Sequence, residues 1–464
     1  MKPPSIRLSE LMIVGRPSEL PVSVSAHQVH PWEELLRRVA GLVRILDGAH
    51  TRRWALYSEN AWAFAVGLLG IWQAGGVAVL PPNGRPGTLK EVAADVSGIV
   101  TDRPEQILGV DAIPALGFSD ATPRAWSRLG GGPALELYTS GTTGARRIVA
   151  KSVGDLDDEV AAHEARWGHL LADTQAVATV SHQHIYGLLF RILWPLIAGR
   201  PFRDDTPLQP TEVAAALERS APAFLVSTPA HLRRLAASRE TMAGPLARCP
   251  IVFCSGGALD HATARELAAL AGAAPIEIFG STETGGVAWR RQSALEPGRW
   301  TPFEGVHAVA AEDGRLRIVS PWTGDARRPI VMGDRATVLA DGTFELGARA
   351  DRIVKIGEKR VALPDMEARL LEHGFVKAAA VVAVPRGVDA RLGAAIVPSE
   401  EGTTTLGREG KHRLADSLRR WLAEHWDVVL LPRVWRFVDA LPEDPQGKTS
   451  TAAVLQLFER PGAP

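Results

Sequence analysis

The chain has 464 residues, of which 46% are hydrophobic and 22% charged, proportions that suit a globular enzyme of several domain-sized units with a sizeable core. Lys plus Arg and Asp plus Glu balance at 52 each, which argues against a nucleic-acid partner held mainly through its phosphates. Two cysteines, Cys249 and Cys254, are too few for a disulfide framework or a zinc site and read as small buried residues in a reducing compartment.

The first twenty positions mix charges and prolines, so no signal peptide is expected there. Apolar spacing predicts a helix over Trp32–Leu46 and a strand over Trp54–Tyr57. Ala61–Leu80 carries no charged residue and has the length of a membrane span. Gly75-Gly76 divides it, however, into a helix-length piece and a short β-rich piece, Val77–Leu80. A buried helix leading into a buried parallel strand is therefore expected, in a cytoplasmic enzyme. Ser152 and Asp155 have the spacing of a helix N-cap, and a helix is predicted over Val153–Gly168. Strands are predicted over Ala176–Val180, Ala223–Ser227, Ile251–Cys254 and Ile276–Phe279, with a helix over Pro229–Ala237. This alternation predicts an α/β fold with a largely parallel sheet and helices on both faces. From Val287 to Leu346 helical patterns stop, and turns such as Asp313-Gly314 and Asp341-Gly342 point to a barrel-like or distorted antiparallel β subdomain. After Arg349–Asp351 the pattern becomes a compact α+β section. Within it, Ser399–Gly410, entered through Pro398, reads as a surface loop. The expected division is a large domain over residues 1–349 and a small mobile one over 350–464.

Tyr138–Arg147 reads YTSGTTGARR, with four Ser/Thr hydroxyls, two glycines, two arginines and no acid. Glycine lets backbone N–H groups approach a ligand and Ser/Thr add donors, so such a loop can wrap a polyphosphate. The arginines place fixed positive charge at its exit. It is not a Walker loop, which needs Gly-Lys-Ser/Thr leading into a helix. Here Gly144 is followed by Ala-Arg-Arg and a second apolar run, so a turn between two strands is expected.

The order Thr-Ser-Gly-Thr-Thr-Gly resembles the phosphate loop of the adenylate-forming superfamily, which includes acyl-CoA synthetases, luciferases and peptide-synthetase adenylation domains. That family usually ends the loop in Lys, where this chain has Arg147. FGSTETG (Phe279–Gly285) resembles the second core motif. VMGDRATV, with Gly333-Asp334, resembles the ribose-binding segment, although Met332 stands where the family usually has Thr. Arg349–Lys355 resembles the hinge segment. LPEDPQGKTS (Leu441–Ser450) resembles the last motif, around a lid lysine.

The resemblance implies ATP and Mg2+ as cofactors. Thr139, Ser140, Gly141, Thr142, Thr143, Gly144 and Arg147 would surround the β- and γ-phosphates. Gly280, Ser281 and Thr282 would border the α-phosphate. Glu283 would hold Mg2+, a hard cation that takes one or two carboxylates plus substrate phosphates. Asp334 would accept from the ribose diol, Arg349 would contact the nucleotide, Asp351 would be the hinge and Lys448 the catalytic cation. SHQHIYG (Ser181–Gly187) resembles an acyl-pocket stretch, giving His184 a catalytic and pocket role beside Tyr186 and Gly187. SGGALD (Ser255–Asp260) resembles a pocket wall in which Gly256 and Gly257 let a flat ring lie close. His182 and His184 lack a third ligand nearby in sequence, so they do not read as a metal pair.

In the implied reaction a carboxylate attacks the α-phosphorus of ATP, pyrophosphate leaves, and a thiol then displaces AMP. Trp54–Leu89 resembles the ligases of aryl-polyene and xanthomonadin-type pigment clusters. That likeness implies a hydroxybenzoate-like acid loaded onto acyl carrier protein phosphopantetheine or CoA. A medium-chain fatty acid, a peptide-synthetase-type adenylation enzyme and a non-catalytic nucleotide sensor remain alternatives. SHQHIYG lacks the Asp that would meet an α-amine, and the intact set Glu283, Asp334, Arg349 and Lys448 argues against a sensor.

Overall fold

The structure, a computed structural model, describes residues 5–47, 52–107, 111–117, 125–139, 147–219, 222–293, 295, 298–324, 328–349, 352–357, 359–386, 389–442 and 451–459. The chain forms two compact units. The larger is built from Met1–Pro82, Lys90–Tyr138 and Ile148–Ala350, and the smaller contains Asn83–Leu89 and Asp351–Pro464.

Ten elements of the larger unit position the candidate site. They are β1 (Pro133–Thr139), β2 (Arg147–Ser152), α1 (Val153–Trp167), β3 (Gln175–Ala178), β4 (Ala223–Ser227), β5 (Val252–Cys254), β6 (Ile276–Ser281), β7 (Gly285–Arg291), β8 (Ile330–Val338) and β9 (Phe344–Arg349). In one six-stranded sheet β1 and β2 lie at the edge, beyond Val77–Leu80, Arg53–Tyr57, Ile99–Thr101 and Ala112–Pro114. A nine-stranded sheet runs Thr301–Pro302, β7, β6, β5, β4, β3, Phe202–Arg203, Pro21–Val24, Val29–Pro31. Its central strands β3 to β6 are parallel and fully or nearly fully buried, as expected of a sheet covered on both faces. The region read as barrel-like is a four-stranded antiparallel sheet in the order His307–Ala310, Arg315–Val319, β8, β9.

The uncharged stretch folds as expected, into a helix over Ala61–Gln73 and a strand over Val77–Leu80. Asn60 caps the helix, accepting from the Ala63 N–H at 2.9 Å. Every residue from Ala61 to Trp72 is buried, which explains an apolar helix without a lipid phase. No helix among the described residues is long and apolar enough to cross a membrane. Ser152 and Asp155 form a complete capping box at the start of α1. Both cysteines are buried free thiols, and burial pushes the Cys249 thiol up to about 12.

The smaller unit has a hairpin, Ile353–Ile356 with Lys359–Ala362, and a three-stranded sheet of Val376–Arg386, Asp389–Pro398 and Val434–Phe437. Helices Leu363–Leu371 and Glu400–Ala423 add to its core through Met366, Leu370, Leu418 and Leu422. The surface-loop expectation for Ser399–Gly410 is wrong. The segment opens the helix Glu400–Ala423, with a break at Gly410, where φ is 81°. Ser399 caps it by accepting from the Gly402 N–H at 3.0 Å, and Glu400 and Glu401 suit the positive end of the helix dipole. Gly402 lies hard against the Phe375 carbonyl. Tertiary packing therefore overrode poor helix propensity.

Candidate active site

Three of the sequence motifs leave the same edge of the nine-stranded sheet. SHQHIYG follows β3, SGGALD follows β5, and the TETG turn follows β6. Because β3, β4, β5 and β6 are adjacent and parallel, the loops emerge together at the carboxyl ends of the strands. Register places Ala178 beside Val226, and Cys254 beside both Ser227 and Glu277. In open α/β sheets ligands bind outside that edge.

The turn that carries Glu283 is tightly built. β6 and β7 are antiparallel, with Gly280 opposite Gly286 and Ser281 opposite Gly285, so Thr282, Glu283 and Thr284 form the tip. The Ser281 N–H donates to Thr284 Oγ1 at 3.0 Å, and the Thr284 N–H donates to Ser281 Oγ at 3.2 Å. These local bonds hold the tip and leave Thr282 and Glu283 half-buried beside it. Gly280 is required by close approach, since a Cβ there would strike the Gly285 carbonyl. Gly285 has φ 65°, and a Cβ there would strike the Glu159 carboxylate.

That carboxylate belongs to a buried polar group which sequence reasoning missed. Lys151, on β2, is 2% exposed and donates from Nζ to the Glu283 carbonyl at 3.1 Å and the Trp322 carbonyl at 3.0 Å. Glu159, on α1, is also 2% exposed and accepts from the Gly286 N–H at 2.6 Å. The Trp322 indole donates to the Gly286 carbonyl at 3.1 Å. Burial pushes the Glu159 carboxyl up to about 7 and pulls the Lys151 amine down, while each charge favours the ionised form of the other. The only signal in the sequence was a lysine inside the apolar run that follows the hydroxyl-rich loop, and helical spacing from Asp155 to Glu159.

On the next loop the two histidines separate. His182 is 1% exposed and donates from Nε2 to the Ser58 carbonyl at 2.8 Å, with its ring 4.5 Å from Phe64. Burial holds it well below its usual range. His184 is exposed and stands at the N-terminal boundary of the short helix Ile185–Gly187, with no capping bond from its side chain. Tyr186 packs on Phe190 at 4.9 Å, and burial lifts its hydroxyl well above the usual range. Gly187 lies hard against the Ser181 carbonyl, so no side chain fits there. Gly256 has φ 87° and Gly257 follows it in a bend, with the adjacent Ser255 hydroxyl donating to the Ile278 carbonyl at 2.7 Å.

Asp334 on β8 pairs opposite Arg349 on β9 in the antiparallel sheet. The hairpin thus brings two residues distant in the chain to one register position. Thr139 ends β1 and Arg147 opens β2. Ser140, Gly141, Thr142, Thr143, Gly144, Asp351 and Lys448 lie outside the described residues. Among the described residues no group of three or more His, Cys, Asp or Glu could by itself hold a metal ion.

Residues 16–333 match the AMP-binding enzyme family, and residues 365–448 match the AMP-binding enzyme C-terminal domain. The chain belongs to the AMP-binding enzyme family. As an enzyme it falls in the AMP-forming acid–thiol ligase class. It is 27% identical over 328 residues to a 4-coumarate–CoA ligase of Halorhodospira halophila, covering 68% of this chain and 74% of that protein. It is 26% identical over 361 residues to the p-hydroxybenzoic acid–AMP ligase FadD22 of Mycobacterium tuberculosis, covering 72% of this chain and half of that protein. A shorter likeness, 34% over 132 residues, links 28% of the chain to 11% of the phosphinothricin tripeptide synthetase PhsC of Streptomyces viridochromogenes. Among solved structures, the fold matches the amide bond synthetase McbA of Marinactinospora thermotolerans with a TM-score of 0.80 and 22% identity, over 98% of this chain and 100% of that one. It matches a malonyl-CoA ligase with a TM-score of 0.78 and 24% identity, over 92% of this chain and 98% of that one. The AMP-binding enzyme thus has the large parallel-sheet domain and smaller C-terminal domain of these structures.

Proposed function

We propose that this AMP-binding enzyme joins an aromatic, hydroxybenzoate-like carboxylic acid to AMP and passes the acyl group to a thiol of acyl carrier protein phosphopantetheine or CoA. The observation that carries the reading is the tie between two segments. Lys151, on the strand leaving the hydroxyl-rich loop, holds the backbone of the turn that presents Glu283. The strand that follows the loop is thereby tied to the turn whose carboxylate suits Mg2+.

The acid carboxylate attacks the α-phosphorus and pyrophosphate departs. A thiol then attacks the acyl carbonyl of the adenylate, and AMP leaves with the bonding pair of the cleaved C–O bond. The Mg2+ that Glu283 and the phosphates would hold neutralises charge on the triphosphate. Its single carboxylate fits that arrangement, since Mg2+ would need only one or two protein carboxylates beside substrate phosphates and water. Ser140, Thr142 and Thr143 donate to the β- and γ-phosphates, with Thr139, Gly141 and Gly144 shaping the loop and Arg147 adding fixed charge. Gly280, Ser281 and Thr282 border the α-phosphate, Asp334 accepts from the ribose hydroxyls and Arg349 contacts the nucleotide. His184 meets the acid carboxylate, while Tyr186, Gly187, Gly256 and Gly257 wall the pocket. Residues 1–349 form the adenylating domain and 350–464 the lid, with Asp351 as pivot and Lys448 neutralising charge near the α-phosphate.

An aromatic acid is supported by the names of the 4-coumarate and p-hydroxybenzoic acid relatives and by the pigment-cluster likeness of Trp54–Leu89. A carrier-protein thiol is supported by the short likeness to a peptide synthetase. Buried free thiols suit a cytoplasmic setting. The test is acid-dependent pyrophosphate release across a panel of aryl and medium-chain fatty acids, repeated with CoA and with a carrier protein. Release with no acid in the panel would defeat the proposal. In a second test Lys448→Ala nearly abolishes adenylation but spares thioester formation from supplied acyl-adenylate. Equal loss of both would defeat the lid assignment.

A further inference from the structure

Phosphate chemistry needs Glu283 to be placed within a fraction of an ångström, yet it sits on a hairpin tip, the part of a strand pair most free to move. The tip's own hydrogen bonds, between Ser281 and Thr284, fix its shape but not its place. Three bonds from outside the hairpin fix its place. Lys151 Nζ reaches the Glu283 carbonyl, Glu159 Oε1 reaches the Gly286 N–H, and the Trp322 indole reaches the Gly286 carbonyl. Lys151 also holds the Trp322 carbonyl, so the outer tether is itself anchored. One turn earlier on α1, Asp155 accepts from the Gly324 N–H at 3.0 Å and ties down the segment after Trp322.

A neutral, apolar arrangement could pack this space at lower cost, because two buried charges lose their hydration and recover it only with good geometry. The pair therefore does something that packing alone does not. Its amine comes from the strand that follows the hydroxyl-rich loop, and its hydrogen bond ends on the backbone of the residue assigned above to Mg2+. Burial disfavours both charges, while each favours the ionised form of the other and the Gly286 N–H favours the Glu159 carboxylate.

We propose that Lys151 and Glu159 are positioning residues which lock the Glu283 turn to β2 and α1, so that its carboxylate is held in the one place where it can meet Mg2+ on bound ATP. The proposal rests on the reading that Glu283 holds Mg2+ on bound ATP.

The test measures ATP binding by calorimetry with Mg2+ and with EDTA, alongside the Mg2+ dependence of pyrophosphate release and thermal unfolding. Lys151→Met leaves Glu159 buried without its counter-charge and can fail to fold. The double variant Lys151→Met/Glu159→Leu removes both charges and keeps the volume filled. The double variant is expected to fold with a melting temperature near that of the parent. Its ATP affinity in EDTA is expected to stay within twofold, while its affinity with Mg2+ and its Mg2+ requirement each worsen by tenfold or more. A folded double variant with unchanged Mg2+ dependence would overturn the positioning role and leave the role of Glu283 standing. Glu283→Gln is the control that separates the two. If that variant also keeps the parent's Mg2+ dependence, the reading of Glu283 falls, and the positioning role falls with it.

Discussion

The Glu283 turn and the His184 loop leave strands of one sheet, but they are held by different physics. The turn is pinned from beneath by a buried amine and a buried carboxylate, Lys151 and Glu159. The loop is pinned by a neutral imidazole, His182, reaching the Ser58 carbonyl, and by aromatic packing of Tyr186 on Phe190. Charge on the first side suits the polyanion and cation proposed to bind there. On the second side the support is mostly imidazole and aromatic packing, with one buried cation, Arg191, donating to the Val180 carbonyl at 3.0 Å; such a wall suits the organic acid proposed for it. The comparison teaches that two loops leaving one sheet, with β4 and β5 between their strands, can be supported by unlike scaffolds.

That contrast can be broken most severely at Glu283. Glu283→Gln is expected to lower acid-dependent pyrophosphate release by about 10²-fold or more, in keeping with loss of a metal-holding carboxylate. Steady-state kinetics across Mg2+ concentration check this, and a loss below threefold would remove the carboxylate from the mechanism. Removing the neutral pin comes next. His182→Ala takes one of two donors from the buried Ser58 carbonyl, leaving Gln183 Nε2, and opens space beside Phe64, which together cost about 1–3 kcal/mol. Denaturant unfolding should report that cost. The KM for the acid should rise while the KM for ATP holds, and a reversed pattern would contradict the division.

A smaller effect concerns pH on the charged side. His163 lies on α1 one turn beyond Glu159, enclosed by Phe190 at 4.6 Å, Phe303 at 5.3 Å and Trp194 at 5.7 Å. Burial holds its imidazole down to about 3. The unfolded chain binds a proton there below about pH 6.5 and the folded chain does not until about pH 3. Folding stability therefore falls as pH drops through that window, by up to about 1.4 kcal/mol per pH unit from this group. His163→Leu should flatten the acid limb of the melting-temperature profile between pH 6 and 4; parallel profiles would show that the imidazole titrates normally. The smallest change is expected from Tyr186→Phe, with less than about 1 kcal/mol in stability and altered preference among aryl acids. Acid selectivity in the pyrophosphate assay checks it, and an unchanged ranking would take the Tyr186 hydroxyl out of recognition.

Much of the fold was legible from pattern. Trp32–Leu46, Ala223–Ser227 and Pro229–Ala237 form with the bounds that periodicity and turn residues suggested. The capping box at Ser152 and the division of the uncharged stretch at Gly75-Gly76 were also readable, because each rests on local chemistry. Ser399–Gly410 was misread because its threonines and glycines are weak helix formers. Its helical state comes from the Ser399 cap and packing against Phe375, a partner 25 residues or more away in sequence. Of the candidate site, FGSTETG and SHQHIYG could be found as motifs, whereas the buried group that holds the first of them could not. Lys151 and Glu283 are 132 positions apart, and an isolated lysine in an apolar run says nothing of which carbonyl it will meet.

What the amino-acid order alone determined was the sequence of elements, the turn chemistry and the kinds of functional group on each loop. These depend on propensity and spacing within a few residues. What only the tertiary structure decided was which loops share an edge, that Asp334 stands opposite Arg349, and that a buried amine and acid underpin the Glu283 turn. Those arrangements arise when parallel strands far apart in the chain are laid side by side and desolvated, and desolvation is a property of the packed interior rather than of any local stretch.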